Sequence, residues 1–491
     1  MILTSRIIEA MKTSRSALET CPEVYPGSCW EAEGARVIMS RVPGKPLLAT
    51  GAGPFIEALQ GDVQQDIKIA PRNTENARVL RQFLPVTAPK AHRGHGVTLG
   101  LGDRLGLAGP GHLRLLKGKQ VFPVLAQQSM RELTLTGRSY TDVLDAATWG
   151  VVQTGWTGGY GADGDHLKTA DEIRYALDAG FTMITLDCSE VMRNDMWVCS
   201  DIDVDAAYEA LSQSEREALE RIYLGRSHVI PDLSFRYEPT QFRRIVLTYR
   251  DALAFAAKVW SELLQPVSER VDFELSIDET PTPTGIPAHF FIASELERRG
   301  VRCDSVAPRF CGEFQKGIDY VGDTGLFAAE LAEHQAIASA FHYKLSVHSG
   351  SDKFSVFPAI GQLPAFHLKT AGTNWLEAVR VIAQADPQLY RDMHKYALAH
   401  LQEARAYYVI SNGPETIPSL DELTDSELPD LMNRDDARQC LHITYGVLLQ
   451  AREGDDWRFR NRIYDTLAAQ EDMYMDGLYA HIGRHLTGLG R

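Results

Sequence analysis

DEIRYALDAGFTMITLD (171–187) holds the unit from which the fold is read. Its first half has the pattern of an amphipathic helix, and Gly180 supplies the left-handed residue that stops one. An apolar run then ends on a carboxylate at Asp187. IPAHFFIASELERRG (286–300), ending on Gly300 and followed by CDSVAPRF (303–310), repeats that order. Helix, glycine and strand in succession are the signature of βαβ units and a parallel sheet. Eight such runs are present: VTLGLG (97–102), VFPVLAQ (121–127), VVQTGW (151–156), FTMITLD (181–187), VDFELSID (271–278), CDSVAPRF (303–310), YKLSVHS (343–349) and AFHLKT (365–370). Eight strands predict a (β/α)8 barrel, which takes ~250 residues. An open doubly wound sheet is the alternative for the same alternation, and polar chemistry recurring after most of the runs favours the barrel.

The expected organisation is an N-terminal α/β capping region over 1–95, the barrel over 96–385, and a helical C-terminal region over 386–491. A helical insertion is expected at about 190–265, where DVDAAYEALSQSEREALERIYLG and FRRIVLTYRDALAFAAKVWSELL read as two long helices. The 491 residues are 44% hydrophobic and 23% charged, too apolar for intrinsic disorder. No stretch approaches the ~20 apolar residues of a membrane span. Fifty Lys and Arg against 65 Asp and Glu give a net charge of −15, without the basic footprint that nucleic acid requires. Seven cysteines, an odd number with no C-x-x-C pair, indicate neither a disulfide framework nor a zinc ribbon. The N-terminus has no apolar signal core, so a cytoplasmic location is expected. G-x-G-x-x-x-G at 100–106 is not a dinucleotide fingerprint, and no Walker A motif exists. These features fit a small-molecule substrate and are compatible with a homo-oligomer.

Barrel active sites lie at the carboxyl ends of the strands. Those ends hold Asp103-Arg104, Gln127-Gln128-Ser129, GADGDH (161–166), Asp187 to Glu190, Asp278-Glu279-Thr280, Arg309 to Glu313, HSGSDK (348–353) and Lys369-Thr370. His166, Glu313 and His348 are the candidate ligands of a divalent transition ion, two imidazoles and a carboxylate on separate strand ends. A loop histidine serving backbone groups is the alternative for each alone. His289, His334 and His342 fall on predicted helices as ordinary histidines. Asp165, beside His166, is a candidate base, and the glycine-rich 155–164 is expected to be a loop that turns to present both. Alternation along FELSID turns Phe273, Leu275 and Ile277 to the helices and Glu274, Ser276 and Asp278 to the axis. A buried Glu274 must be protonated, hydrogen-bonded or near a metal, all of which suit an acid or base, with a structural ion pair to a neighbouring Lys or Arg as the alternative. Asp278 and Glu279 are the other candidate acids. Lys353 and Lys369 are candidate contacts for a substrate carboxylate, with an ion pair to Asp165 or Asp352 as the alternative.

GDRLGLAGPGH (102–112), FPVLAQQS (122–129), DAATWGV (145–151), GADGDHLK (161–168), FELSIDETPTPT (273–284), RFCGEFQKGIDYVGD (309–323), VHSGSDKFSVFPA (347–359), FHLKTAGT (366–373) and HITYG (442–446) resemble the tagaturonate epimerase family. The resemblance implies a divalent-metal-dependent epimerase, with Mn, Ni or Zn as the ion, acting on the ketouronates D-tagaturonate and D-fructuronate in hexuronate breakdown. It also implies an acid/base pair, best matched by Asp165 and Glu274, and metal ligands best matched by His166, Glu313 and His348. The two ketouronates differ at a carbon β to the ketone, whose C–H one enolisation does not acidify. A retro-aldol cleavage and re-closure resolves this, with direct inversion through a dehydrated or oxidised intermediate as the alternative. A metal-dependent aldolase or sugar isomerase on the same barrel, or a non-catalytic sugar-acid-binding barrel, are the other classes.

Overall fold

A computed structural model describes residues 3–491. Eight parallel strands close into a barrel: β1 (Val97–Gly100), β2 (Phe122–Ser129), β3 (Gly161–Leu167), β4 (Met183–Asp187), β5 (Asp272–Ile277), β6 (Ser305–Pro308), β7 (Lys344–Val347) and β8 (Phe366–Lys369). Each strand pairs with the next in sequence, and β8 returns to β1 through Phe366↔Val97 and Lys369↔Gly100. A closed sheet has no edges, so the open doubly wound alternative is excluded.

Seven of the eight apolar runs contribute barrel strands, and VVQTGW does not. Val151 and Val152 belong to a helix over Tyr140–Thr154, started by a capping box between Ser139 and Asp142 and stopped by Gly155 at φ +66°. Both valines are fully buried, so a β-branched pair on a helix face imitated a strand. The true third strand is GADGDHL, rich in glycine and aspartate and therefore poor in β propensity. It forms because β2 and β4 template it on both sides, and because its inward carboxylates find partners inside the barrel. Residues 161–164, expected in a loop, are thus strand.

Between β4 and β5 the expected insertion contains helices Asp201–Glu209, Gln213–Tyr223 and Pro239–Val259, with an unanticipated hairpin of His228–Ile230 and Leu233–Phe235. N-terminal to the barrel, five antiparallel strands form a sheet whose core includes Trp149 and Val152 of the barrel helix. After the barrel helix Thr373–Ala385 the chain is mostly helical. The long helix Glu471–Gly488 packs against Gly109–Leu116 and Thr373–Ala385, and the segment 405–445 reaches the barrel mouth. Among the described residues no helix is long and apolar enough to cross a membrane.

The reassignment of 140–154 is testable at its end. A Cβ at Gly155 would lie 2.2 Å from the Gly27 carbonyl oxygen, in a left-handed conformation that side chains disfavour. Gly155→Ala is expected to cost more than about 1 kcal/mol, read as a lowered midpoint of thermal unfolding. An unchanged midpoint would contradict this helix end.

Candidate active site

Strand register builds the floor of the mouth. Thr185 of β4 pairs with Glu274 of β5, and Glu274 pairs with Ser305 of β6, so all three side chains share one inward tier. Glu274 is fully buried, accepts from Ser305 Oγ at 2.6 Å, and lies 3.2 Å from Thr185 Oγ1. The alternation expected along FELSID holds: Phe273 faces outward, stacked on Trp260 with ring centroids 6.0 Å apart.

At the end of β8 the Lys369 ammonium enters this tier. Its Nζ lies 2.6 Å from Asp165 Oδ1, 2.9 Å from Glu274 Oε1 and 3.0 Å from Asp163 Oδ2, and it donates to Thr185 Oγ1 at 2.7 Å. Burial favours a neutral lysine, but the three carboxylates outweigh it and hold the pKa well above the ordinary value. Burial pushes Asp163 up to about 7 against the pull of Lys369, with Asp165 and Glu274 adding repulsion. For Asp165 and Glu274 burial again opposes ionisation, yet Lys369 and a neighbouring imidazole hold both below the usual carboxylate range. Asp163 carries no motif signal of its own, although it shares strand parity with Asp165.

His166 reaches the mouth by a backbone irregularity. The β3–β4 register shifts between Gly164 and Leu167, and His166 adopts φ +56°. A bulge of this kind re-aims a side chain, here bringing an imidazole in beside Asp165 instead of opposite it. His166 Nδ1 lies 2.8 Å from Asp165 Oδ1, and its Nε2 faces Asp278 Oδ1 at 3.8 Å. On β7's end, His348 Nε2 lies 2.8 Å from Glu274 Oε1 and Nδ1 lies 3.1 Å from Asp278 Oδ2. Each imidazole is thus braced by one carboxylate and presents its other nitrogen to Asp278. Burial disfavours charging either ring, but the facing carboxylates raise both pKa values.

The ligating atoms of His166, Asp278 and His348 lie within 4.8 Å of one another. Two imidazoles oriented by outer carboxylates around a third carboxylate are a donor set suited to a divalent transition ion. Glu313 is not brought into this group. Its side chain is 53% exposed, 3.5 Å from Arg309 Nη2, and its backbone pairs with Val321. It follows β6 on a loop, so no strand parity fixes its direction, and the carboxylate that lies with the two imidazoles is that of Asp278.

Lys353 departs from expectation too. Only 1% exposed, it donates to the carbonyls of Gln315 at 2.8 Å, Ile318 at 2.6 Å and Ser351 at 2.9 Å. An ammonium has three donors, and all are used within the protein. His289 and His334 are buried helix histidines with their Nδ1 atoms 2.8 Å apart, as expected of core residues. His342, expected on a helix, lies just past the end of Thr324–Ala340, at φ +61°.

Asp165, His166, Asp278, His348 and Lys369 open into a cavity of about 310 Å³ that extends outward past Lys316, Arg131 and Tyr408. A closed barrel with such a cluster at its carboxyl-end mouth defines an enzyme for a small polar molecule. The sequence profile of tagaturonate epimerases matches residues 37–489, and the chain belongs to that family. A tagaturonate/fructuronate epimerase of Thermotoga maritima is 40% identical over 418 residues, 84% of this chain and 85% of that protein. Crystal structures of the fructuronate-tagaturonate epimerase of Cohnella laeviribosi are similar along nearly their whole length. The native form has a TM-score of 0.95 at 48% identity over 99% of this chain and 98% of that one. A form with one glycerol has 0.94 at 49% identity over 95% and 96%.

Metal ligation requires neutral imidazoles, whereas these two hold protons tightly beside their carboxylates. Loading the metal-free protein with Mn²⁺ or Zn²⁺ near neutral pH is therefore expected to release protons, and affinity is expected to fall as pH is lowered. Calorimetry in buffers of different ionisation heat checks this, and uptake with no proton release would contradict the raised proton affinity of the two rings.

Proposed function

We propose that this protein is an epimerase that interconverts D-tagaturonate and D-fructuronate by opening and re-closing one carbon–carbon bond. End-to-end similarity to epimerases of those ketouronates carries the substrate assignment. All seven cysteines are free thiols, which supports a reducing, cytoplasmic setting.

In this reading His166, His348 and Asp278 hold a divalent ion, and Glu313 stays on the outer wall of the cleft. Bound there, the ion supplies Lewis-acid polarisation of the substrate's oxygens. The chain's own groups move the proton. Asp165, on the cavity wall and held ionised by Lys369, takes the proton of the hydroxyl on the carbon to be inverted. That oxygen's electrons form a carbonyl, the adjacent C–C bond breaks, and its electron pair passes to the ketone half as an enediolate. The aldehyde half turns, the bond re-forms on its other face, and the new alkoxide takes a proton back. Glu274 is the second carboxylate of the proton path. It meets Asp165 at the shared Lys369 ammonium, so charge gained by one is felt by the other.

Incubation with D-tagaturonate is expected to yield D-fructuronate, with the same final ratio reached from either side. Accumulating three-carbon fragments would place the protein among aldolases, and no conversion would overturn the proposal. Chelation is expected to abolish turnover, with Mn²⁺, Ni²⁺ or Zn²⁺ restoring it. Asp278→Asn should lose the ion and Glu313→Gln should keep it; the reverse would return the ligand role to Glu313. Asp165→Asn and Glu274→Gln should each lower kcat by about 10²–10⁴ while the ion stays bound. Normal turnover in Glu274→Gln with collapse in Glu279→Gln would move the second role to Glu279.

A further inference from the structure

The substrate proposed above is an anion, yet the inner half of the cavity is walled by carboxylates. Its carboxylate must therefore point outward, toward positive charge that the protein has not already neutralised. Lys369 is shared among three carboxylates and Lys353 among three carbonyls, so neither has a donor left for substrate. Arg104 is engaged by Glu132 at 3.1 Å and by the face of Tyr445. Lys168 faces Glu190 at 3.3 Å and Asp187 at 3.8 Å. Among the described residues, the two cations of the cavity wall with no carboxylate within salt-bridge distance are Lys316 and Arg131.

Lys316 is also held in place. Its Nζ donates to Ser349 Oγ at 2.8 Å, and Ser349 follows His348 directly in the chain. The backbone around it is pinned from beneath: Lys353 bonds the carbonyls of Gln315 and Ile318, and Arg438 Nε donates to the Gly317 carbonyl at 2.7 Å. The Gln315 side chain accepts from Ser411 Oγ at 2.7 Å and Gln439 Nε2 at 3.0 Å. Two buried cations and two polar side chains thus fix the loop of a residue whose own charge has no partner. Arg131 lines the same cavity with its guanidinium 4.8 Å over the Tyr408 ring and no carboxylate within salt-bridge distance.

We propose that Lys316 and Arg131 form the anion clamp that holds the substrate's carboxylate at the outer end of the cavity, selecting a uronate over an uncharged ketose. This rests on the ketouronate reading above. The carboxylate belongs to the half that becomes the aldehyde, so the same grip keeps that half in the cavity while the bond is open. Lys353, expected from the sequence to touch substrate, serves instead as a positioning residue for Lys316.

The test uses the metal-loaded protein with Lys316→Met, Lys316→Arg and Arg131→Gln. Removing one charge-assisted hydrogen bond to the carboxylate should raise the KM for D-tagaturonate about tenfold or more in Lys316→Met and Arg131→Gln. Metal content and thermal midpoint should match wild type, and Lys316→Arg should recover most of the loss. Calorimetric affinity for gluconate, a six-carbon sugar acid without the ketone, should fall in parallel. Affinity for the uncharged ketose D-tagatose should not change. Unaltered KM and gluconate affinity in both variants, or equal losses for gluconate and tagatose, would overturn the clamp. If wild type fails to interconvert ketouronates, the proposed function fails on its own, and gluconate binding still decides the clamp.

Discussion

One ammonium inside the barrel, Lys369 among Asp163, Asp165 and Glu274, sets the state of everything around it. Three buried carboxylates could not stay together without it, because each ion taken from water costs several kcal/mol and like charges add to that cost. With Lys369 present, Asp165 and Glu274 remain ionised, and each is then able to fix an imidazole. The fixed rings turn their free nitrogens to Asp278, so this donor group is a consequence of the ammonium one layer below it. Removing its charge should cost on the order of 3–5 kcal/mol and disperse the cluster.

Beyond this floor the cavity wall also carries cations. Acids and imidazoles occupy the strand ends, where barrel geometry fixes them, and the unneutralised cations sit on a loop and a short helix at the rim. The C-terminal helical segment belongs to this arrangement, since Arg438 and Gln439 brace the loop of Lys316 and Tyr408 backs Arg131. That dependence gives a physical reason for the similarity to relatives to extend past the barrel, through residue 489.

The barrel was legible because periodicity reports burial, and seven apolar runs lie in a buried sheet. The third strand was illegible because GADGDHL exchanges apolar side chains for carboxylates whose partners come from β4 and β8. The inward direction of Glu274 was legible from strand parity, a local rule that holds wherever the strand is regular. The placement of His166 at the barrel mouth was legible from its position at a strand end, although the bulge that aims it leaves no sequence signal. Parity says nothing about loops, so the side-chain directions of Glu313 and Lys316 were not legible. Lys353 misled because a lysine beside an active-site motif reads the same whether it meets substrate or the backbone beneath.

Turnover of D-tagaturonate in D₂O, with the product followed by NMR, tests the carbon–carbon cleavage most directly. If the bond between the inverted carbon and its neighbour opens, the inverted carbon keeps its own hydrogen, and D-fructuronate should carry no deuterium there. Stoichiometric deuterium at that carbon would contradict cleavage and make Asp165 and Glu274 two opposed carbon bases.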